Sequence, residues 1–322
     1  MTSFELVSKT IKGEPTPKTP LYGWVSFNMS DKICAKFGCV ENFEDHYEFD
    51  LAHIFGGPAY HNTAAISQLH EQHIEITPEV YLNIPLPPVD NMDGYSSIIN
   101  TLDFYKKSRK RFCYLQTNGI FECLNEVFGI ENHLMYLLLY PEELKMVYQR
   151  QAEWNRKFAL NAIELGVDMI HVSDDWGGQN NLLFSKELWH DMIYPYHKIT
   201  CDAVRNSGAF LSLHSDGHIL PLIDDIIKLE YQLIHPWQES AAMPYKEYLT
   251  KYSEKIAIMG GINIQSTLGF GKYEFLKAEI ERVFATLKGK RWICCTSHFV
   301  QEHCSIDELI YAYDLAYKLA KQ

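Results

Sequence analysis

The chain has 322 residues, 47% hydrophobic and 22% charged, with a formal net charge of −12. Such totals fit an ordinary soluble globular protein, and the acidic balance sets it against nucleic acid and anionic membrane surfaces as partners. A signal peptide's apolar segment is missing from the N-terminus, no run of about 18 apolar residues occurs, and the eight cysteines include no Cys-x-x-Cys, so reduced thiols in a cytoplasm are expected.

In chain order, residues 3–12 predict a short amphipathic helix stopped by the Gly13–Pro17 stretch, and Leu21–Val25 a first strand. Residues 30–57 hold a helix-like stretch and then FDLAHIFGG; residues 71–84 read as one or two strands, Pro85–Pro88 as a loop, and Tyr95–Lys107 as a helix. From Phe112 the rhythm is regular. Strands are expected at Phe112–Leu115, Val167–Val172, 209–214, 231–235, 255–259 and 291–295. The intervening helices fall at Phe121–Phe128, His133–Leu139, Pro141–Leu165, 185–206 (with Ser185 as N-cap), 219–229, 244–252, 272–287 and 306–321.

Six strand–helix units from 111–322, joined by first strands and N-terminal additions in 1–110, predict an α/β fold: a single (β/α)8 TIM barrel spanning 1–322 with an N-terminal extension. A doubly wound open sheet is the alternative. The barrel is preferred because polar residues end nearly every strand: Asn118, Asp174, His214, His235, Asn263 and His298. In a barrel all six converge on one mouth, whereas an open sheet gathers such residues at one or two switch points.

Three constellations could carry chemistry. His214, Asp216 and His298 combine two nitrogens and an oxygen, and three protein ligands with one open position is the catalytic zinc arrangement. Cys295 is a substitute if Asp216 points away; equally, His214 could be a hydrogen-bonded core histidine and Asp216 a helix cap. In Ser173-Asp174-Asp175-Trp176-Gly177-Gly178, adjacent carboxylates alternate in direction, so paired acid and base roles stand beside the reading of a solvated turn. After Asn118, Glu122 either reaches the mouth or serves the first turn of a helix. The pair Gly260-Gly261 permits close approach of a ligand, or only a tight turn. His190 and His197 lie among aromatics on one predicted helix and read as packing.

Five stretches in order then gain weight together: Gly119-Ile-Phe-Glu122 with Gly129-Ile-Glu131, VDMIHVSDDWG, LHSDGHI, IMGGIN and TSHFVQEHCSIDEL. They resemble the uroporphyrinogen decarboxylase superfamily over roughly residues 20–320, which implies a (β/α)8 barrel. One branch of that superfamily decarboxylates uroporphyrinogen without a cofactor. The other comprises zinc-dependent methyltransferases working with a corrinoid protein. Decarboxylases carry arginines in an N-terminal Arg-Gln-Ala-Gly-Arg stretch; here the region reads Pro20-Leu-Tyr-Gly-Trp-Val-Ser-Phe-Asn28, and the first arginine of the chain is Arg109. Methyltransferases carry His-x-Cys and a third ligand on the last strand. His214 matches, whereas Asp216 and His298 stand where cysteines are usual, and Asp216-Gly217-His218 also looks like the decarboxylase sequence.

The resemblance therefore implies a methyltransferase acting on a small methylated substrate, for example a methoxylated one. Zn2+ would be held by His214, Asp216 and His298. A corrinoid would be carried by a separate partner protein, and the assembly is left open between monomer and homodimer. Asp174, Asp175 and His298 are the expected catalytic groups, with Asn118, Glu122, Trp176, His235, Gly261 and Asn263 lining the substrate. The alternatives are a cofactor-independent decarboxylase or lyase on a smaller acid, and a binding protein that kept the barrel.

A planar guanidinium fork is what grips carboxylates bidentately, and no arginine lies in the first 108 residues. Uroporphyrinogen is therefore expected not to be turned over, checked by an anaerobic assay for coproporphyrinogen release.

Overall fold

The computed structural model describes residues 1–322. Seven strands form one sheet: β1 (Leu51–Ile54), β2 (Phe112–Asn118), β3 (Met169–Ser173), β4 (Phe210–His214), β5 (Leu233–His235), β6 (Ala257–Ile262) and β7 (Trp292–Thr296). They pair in chain order, every pair parallel, curling into a TIM-like barrel wall. Burial on both faces explains the near-continuous apolar runs of β3, β4 and β7, whose residues are all buried. Helices cover the outside, the longest being Pro141–Glu164, which starts at its proline as expected.

The first helix, Ser3–Lys12, carries a capping box between Thr2 and Glu5 and ends at Gly13 with φ 76°, the left-handed turn that glycine adopts without strain. Leu21–Val25, expected as a strand, makes only an isolated parallel bridge from Leu21 to Cys294. Its hydrogen bonds nevertheless reach both edges of the sheet. Tyr22 N donates to Cys294 O at 2.9 Å, Cys294 N to Pro20 O at 3.0 Å, and Asp50 N to Leu21 O at 2.9 Å. The Asp50 carboxylate, buried beside Lys18, also accepts from Leu21 N at 3.1 Å. The chain enters the helix Ser26–Phe37 immediately afterwards, which leaves no length for a regular strand.

Two further expectations change. Residues 71–84 contain no strand: the helix Thr63–Glu71 and a short helix Pro78–Leu82 lie there, with Thr77 capping the second and Pro78 in its first turn. The helix expected over 185–206 is two, Lys186–Met192 and Tyr194–Ser207, because Pro195 has no N–H to continue the ladder. All eight cysteines are free thiols, and no helix is long and apolar enough to cross a membrane.

Gly23 is fixed by the seam between β7 and β1: a Cβ there would lie 1.6 Å from the hydroxyl oxygen of Tyr313, which itself donates to Tyr22 O at 3.1 Å. Gly23→Ala is expected to lose about 1–3 kcal/mol by overpacking, read by urea unfolding. Adding Tyr313→Phe is expected to restore part of that loss.

Candidate functional site

Side chains alternate across a strand, so β3 and its exit send His171, Ser173 and Asp175 to one face, and β4 sends Ser212, His214 and Asp216. Register aligns these rows: His53 pairs with Tyr114, Gln116 with His171, His171 with Ser212, and His214 with His235. At the centre stands the buried indole of Trp24. Its ring centroid lies 4.7 Å from His53, 5.1 Å from His214, 4.4 Å from His235 and 5.5 Å from His298. Its Nε1 donates to the Tyr114 hydroxyl at 2.8 Å. The barrel is thus floored by aromatics and imidazoles.

One hydrogen-bond chain sets the state of His214. Thr296 O can only accept, so His235 Nε2, 2.9 Å away, carries the proton. Burial pushes His235 down to about 3 and His214 well below its usual range, so both rings are neutral near pH 7. The Nδ1 of His235 then accepts from His214 Nδ1 at 2.9 Å. His214 is left with an unprotonated Nε2, the form in which imidazole binds a metal. One ligand atom each of His214, Asp216 and His298 lie within 4.8 Å of one another, and Asp216 Oδ2 is 4.0 Å from His298 Nε2. Ligand atoms on a tetrahedral zinc lie ~3.3 Å apart, so small side-chain rotations close the set. Cys295 belongs to no such group.

The paired acids have opposite environments. Asp174, expected as a catalytic group, is fully buried and saturated. It accepts from the backbone N–H of Ile120 at 2.9 Å, Phe121 at 3.0 Å and Glu122 at 2.6 Å, and from His197 Nε2 at 2.7 Å. It pins the loop after β2 and is a positioning residue. Asp175, one residue on, faces the mouth; its Oδ1 accepts from Asp216 N at 2.7 Å. Burial and the neighbouring carboxylates push Glu122 up to about 8, and burial pushes Asp175 up to about 6 and Asp216 to about 7. Glu122 also accepts from Ser173 Oγ at 3.0 Å. No lysine or arginine is hydrogen-bonded or ion-paired to Glu122, Asp175 or Asp216.

The loops leaving β3 and β4 touch backbone to backbone. His218 N donates to Gly178 O at 2.8 Å, Trp176 N to Ser215 Oγ at 3.2 Å, and a Cβ on Gly217 would lie 2.4 Å from Gly177 O.

The expected substrate-lining residues divide. Asn118 and Glu122 reach the mouth, half-buried. Trp176 does not: it is fully buried against Trp189 and His197 because its position in the pleat faces outward with Asp174. His235 does not reach the mouth surface: it is buried and hydrogen-bonded to His214. Gly261 and Asn263 line a neighbouring cleft of about 240 Å³ with Gln238, Ser240 and Ser297, which excludes His214, Asp216 and His298. Sequence reasoning missed Trp24, His53 and His171. The signal for the two histidines was their even spacing inside strands, His53 to Phe55 and His171 to Ser173 to Asp175.

Residues 117–318 match the family described as Uroporphyrinogen decarboxylase (URO-D). No curated protein matches in sequence. Among solved structures, a methyltransferase from Methanosarcina mazei has a TM-score of 0.74 at 12% identity, covering 99% of this chain and 98% of that one. A B12-independent methionine synthase from a Shewanella species has a TM-score of 0.50 at 12% identity, covering 73% and 68%. A GH113 beta-1,4-mannanase has a TM-score of 0.51 at 8% identity, covering 94% and 99%. At these identities the likeness is one of fold.

The raised Glu122 has a testable sign. Its folded value, about 8, lies above the ordinary carboxyl value of 4.5, so its contribution is present at acid pH and is lost as pH rises through the folded value. Glu122→Gln is therefore expected to gain stability relative to the parent between about pH 5 and about pH 8, read by urea unfolding across that range. A difference independent of pH would mean that Glu122 is already ionised in the folded protein.

Proposed function

The chain belongs to the uroporphyrinogen decarboxylase (URO-D) family, and from that premise we propose that it is a zinc-dependent methyltransferase of the superfamily's methyl-transfer branch. It moves a methyl group between a small methylated compound, such as a methoxylated one, and a corrinoid carried by a separate protein, in the cytoplasm. We also read the wall as a closed (β/α)8 barrel whose eighth stave is residues 20–24, from their bonds to β7 and to Asp50.

The observation that carries the functional reading is a neutral His214 with a bare Nε2, its ring offering a ligand nitrogen within 4.8 Å of one ligand atom each of Asp216 and His298. Two nitrogens and an oxygen fit zinc, and they make a harder site than thiolates would. Zinc held there would supply a Lewis acid for an ether oxygen. The chain's own groups do the rest. Glu122, protonated near neutral pH in its buried setting, can give a proton to the oxygen that the methyl group leaves, and Asp175, pushed up to about 6, is placed to exchange one with it. Asp174 holds Glu122 in place through its backbone N–H. Trp24, buried, packs its ring against His214 and His298 and holds an apolar surface beside them. A lyase acting on a small acid would instead want a cation to hold the substrate carboxylate, and the groups gathered here are acids and neutral imidazoles.

The test is zinc-loaded protein incubated with a methoxylated aromatic and cob(I)alamin, following methylcob(III)alamin by absorbance. His214→Ala is expected to abolish both stoichiometric zinc and turnover. His235→Gln removes the partner that sets the His214 proton and is expected to weaken zinc about 10–100-fold. Failure to bind zinc in excess, with carbon dioxide released from a small carboxylic acid, would put the lyase in its place.

A further inference from the structure

Below the mouth, a second trio lies within metal-binding reach. One ring nitrogen each of His171, His214 and His235 lie within 4.8 Å of one another, and all three side chains are buried. The Nδ1 atoms of His214 and His235 are 2.9 Å apart, close to the ~3.3 Å between two ligands on a tetrahedral zinc. The proton between them occupies the junction of two lone pairs. His235 is already oriented for ligation, since its Nε2–H rests on the Thr296 carbonyl.

His171 gives independent evidence. Its Nδ1 is engaged with Ser212 Oγ at 2.6 Å, while its Nε2 is buried with no hydrogen-bond partner. An unpaired buried polar atom is costly and in native structures marks a missing partner. The Trp24 ring packs edge-on against the group, its centroid 6.1 Å from that of His171.

We propose that His171, His214 and His235 form an interior position for a zinc-type divalent cation, and that one ion is shared between this position and the mouth through His214. The inference rests on the mouth reading through that shared ligand. A neutral imidazole offers one lone pair. With its proton on Nδ1, His214 presents Nε2 to Asp216 and His298. With the proton moved to Nε2, it presents Nδ1 to His171 and His235. The same proton changes nitrogen and none is released, so the two positions exclude one another and the chain holds a single ion. In the interior position the ion has three imidazoles and no access to a substrate oxygen, which makes it a resting place for the metal.

The test removes the mouth ligands and asks where the metal goes. Asp216→Asn/His298→Gln, titrated with cobalt(II) chloride, is expected to bind one equivalent with the intense visible bands of a tetrahedral site. Adding His171→Gln is expected to abolish that binding, near-UV circular dichroism checking the fold of each variant. Crystals of the double variant soaked in zinc chloride are expected to show an anomalous peak among His171, His214 and His235. If the double variant does not fold, Asp216→Asn alone serves, because it removes a mouth ligand without changing volume. No cobalt binding by the variant, or binding indifferent to His171→Gln, would overturn the proposal. Failure of the mouth reading looks different: the unaltered protein would carry all its anomalous density inside, and the double variant would bind cobalt as tightly as the parent.

Discussion

The seam made by residues 20–24 is the constraint on which the mouth depends. This short segment is hydrogen-bonded to β7 on one side and, through Asp50, to the start of β1 on the other. It has no room for a side chain at Gly23, and immediately after it the chain turns the Trp24 indole into the barrel. Four histidines from β1, β4, β5 and the exit of β7 lie against that one ring. Loosening the seam would therefore disturb the wall and the metal-competent nitrogens together. Because the apolar face of the indole lowers the polarity around the imidazoles, it also helps keep them neutral, the state in which they can act as ligands.

Two adjacent aspartates show how strongly orientation governs chemistry. Asp174 and Asp175 share a sequence neighbourhood, yet Asp174 holds its negative charge among four N–H donors while Asp175 is pushed up to about 6. The first is bound into the scaffold; the second remains available to exchange a proton. The alternation of the pleat makes the assignment, and it also buries Trp176 and leaves Asp216 facing His298.

Much of this was legible in the sequence for definable reasons. Apolar runs bounded by glycine and followed by helical periodicity located β2 through β7, and polar residues at their ends marked the mouth. The stretch Ile74-Glu-Ile-Thr imitates the alternation of a strand, and only tertiary context shows that Thr77 and Pro78 open a helix instead. Which of two neighbouring acids faces inward depends on a phase of one residue, finer than periodicity resolves. Trp24 was invisible for another reason: its place depends on bonds to residues 272 positions away, such as Trp24 N to Thr296 Oγ1. His53 lies in FDLAHIFGG and His171 within Val167–Val172, and an even spacing to the residues at the strand end is the only sequence sign that either shares a face with the mouth.

The contact between the β3 and β4 loops bears on how this mouth could be reshaped. Gly177 and Gly217 meet with no space for a Cβ, and His218 N, which follows Gly217, already donates to Gly178 O across the contact. Neither loop can lengthen or change course without the other, so this wall behaves as one inherited block. At the opposite rim the backbone is tied by Val300 N to Trp24 O at 2.9 Å and Asn28 Nδ2 to Val300 O at 3.0 Å, but the side chains of Phe27, Phe55 and Phe299 meet ring to ring and carry no hydrogen bond that a substitution would break. Selection or design for a different substrate would find its freedom there, leaving the acids and imidazoles as a fixed reactive half beneath an exchangeable lip.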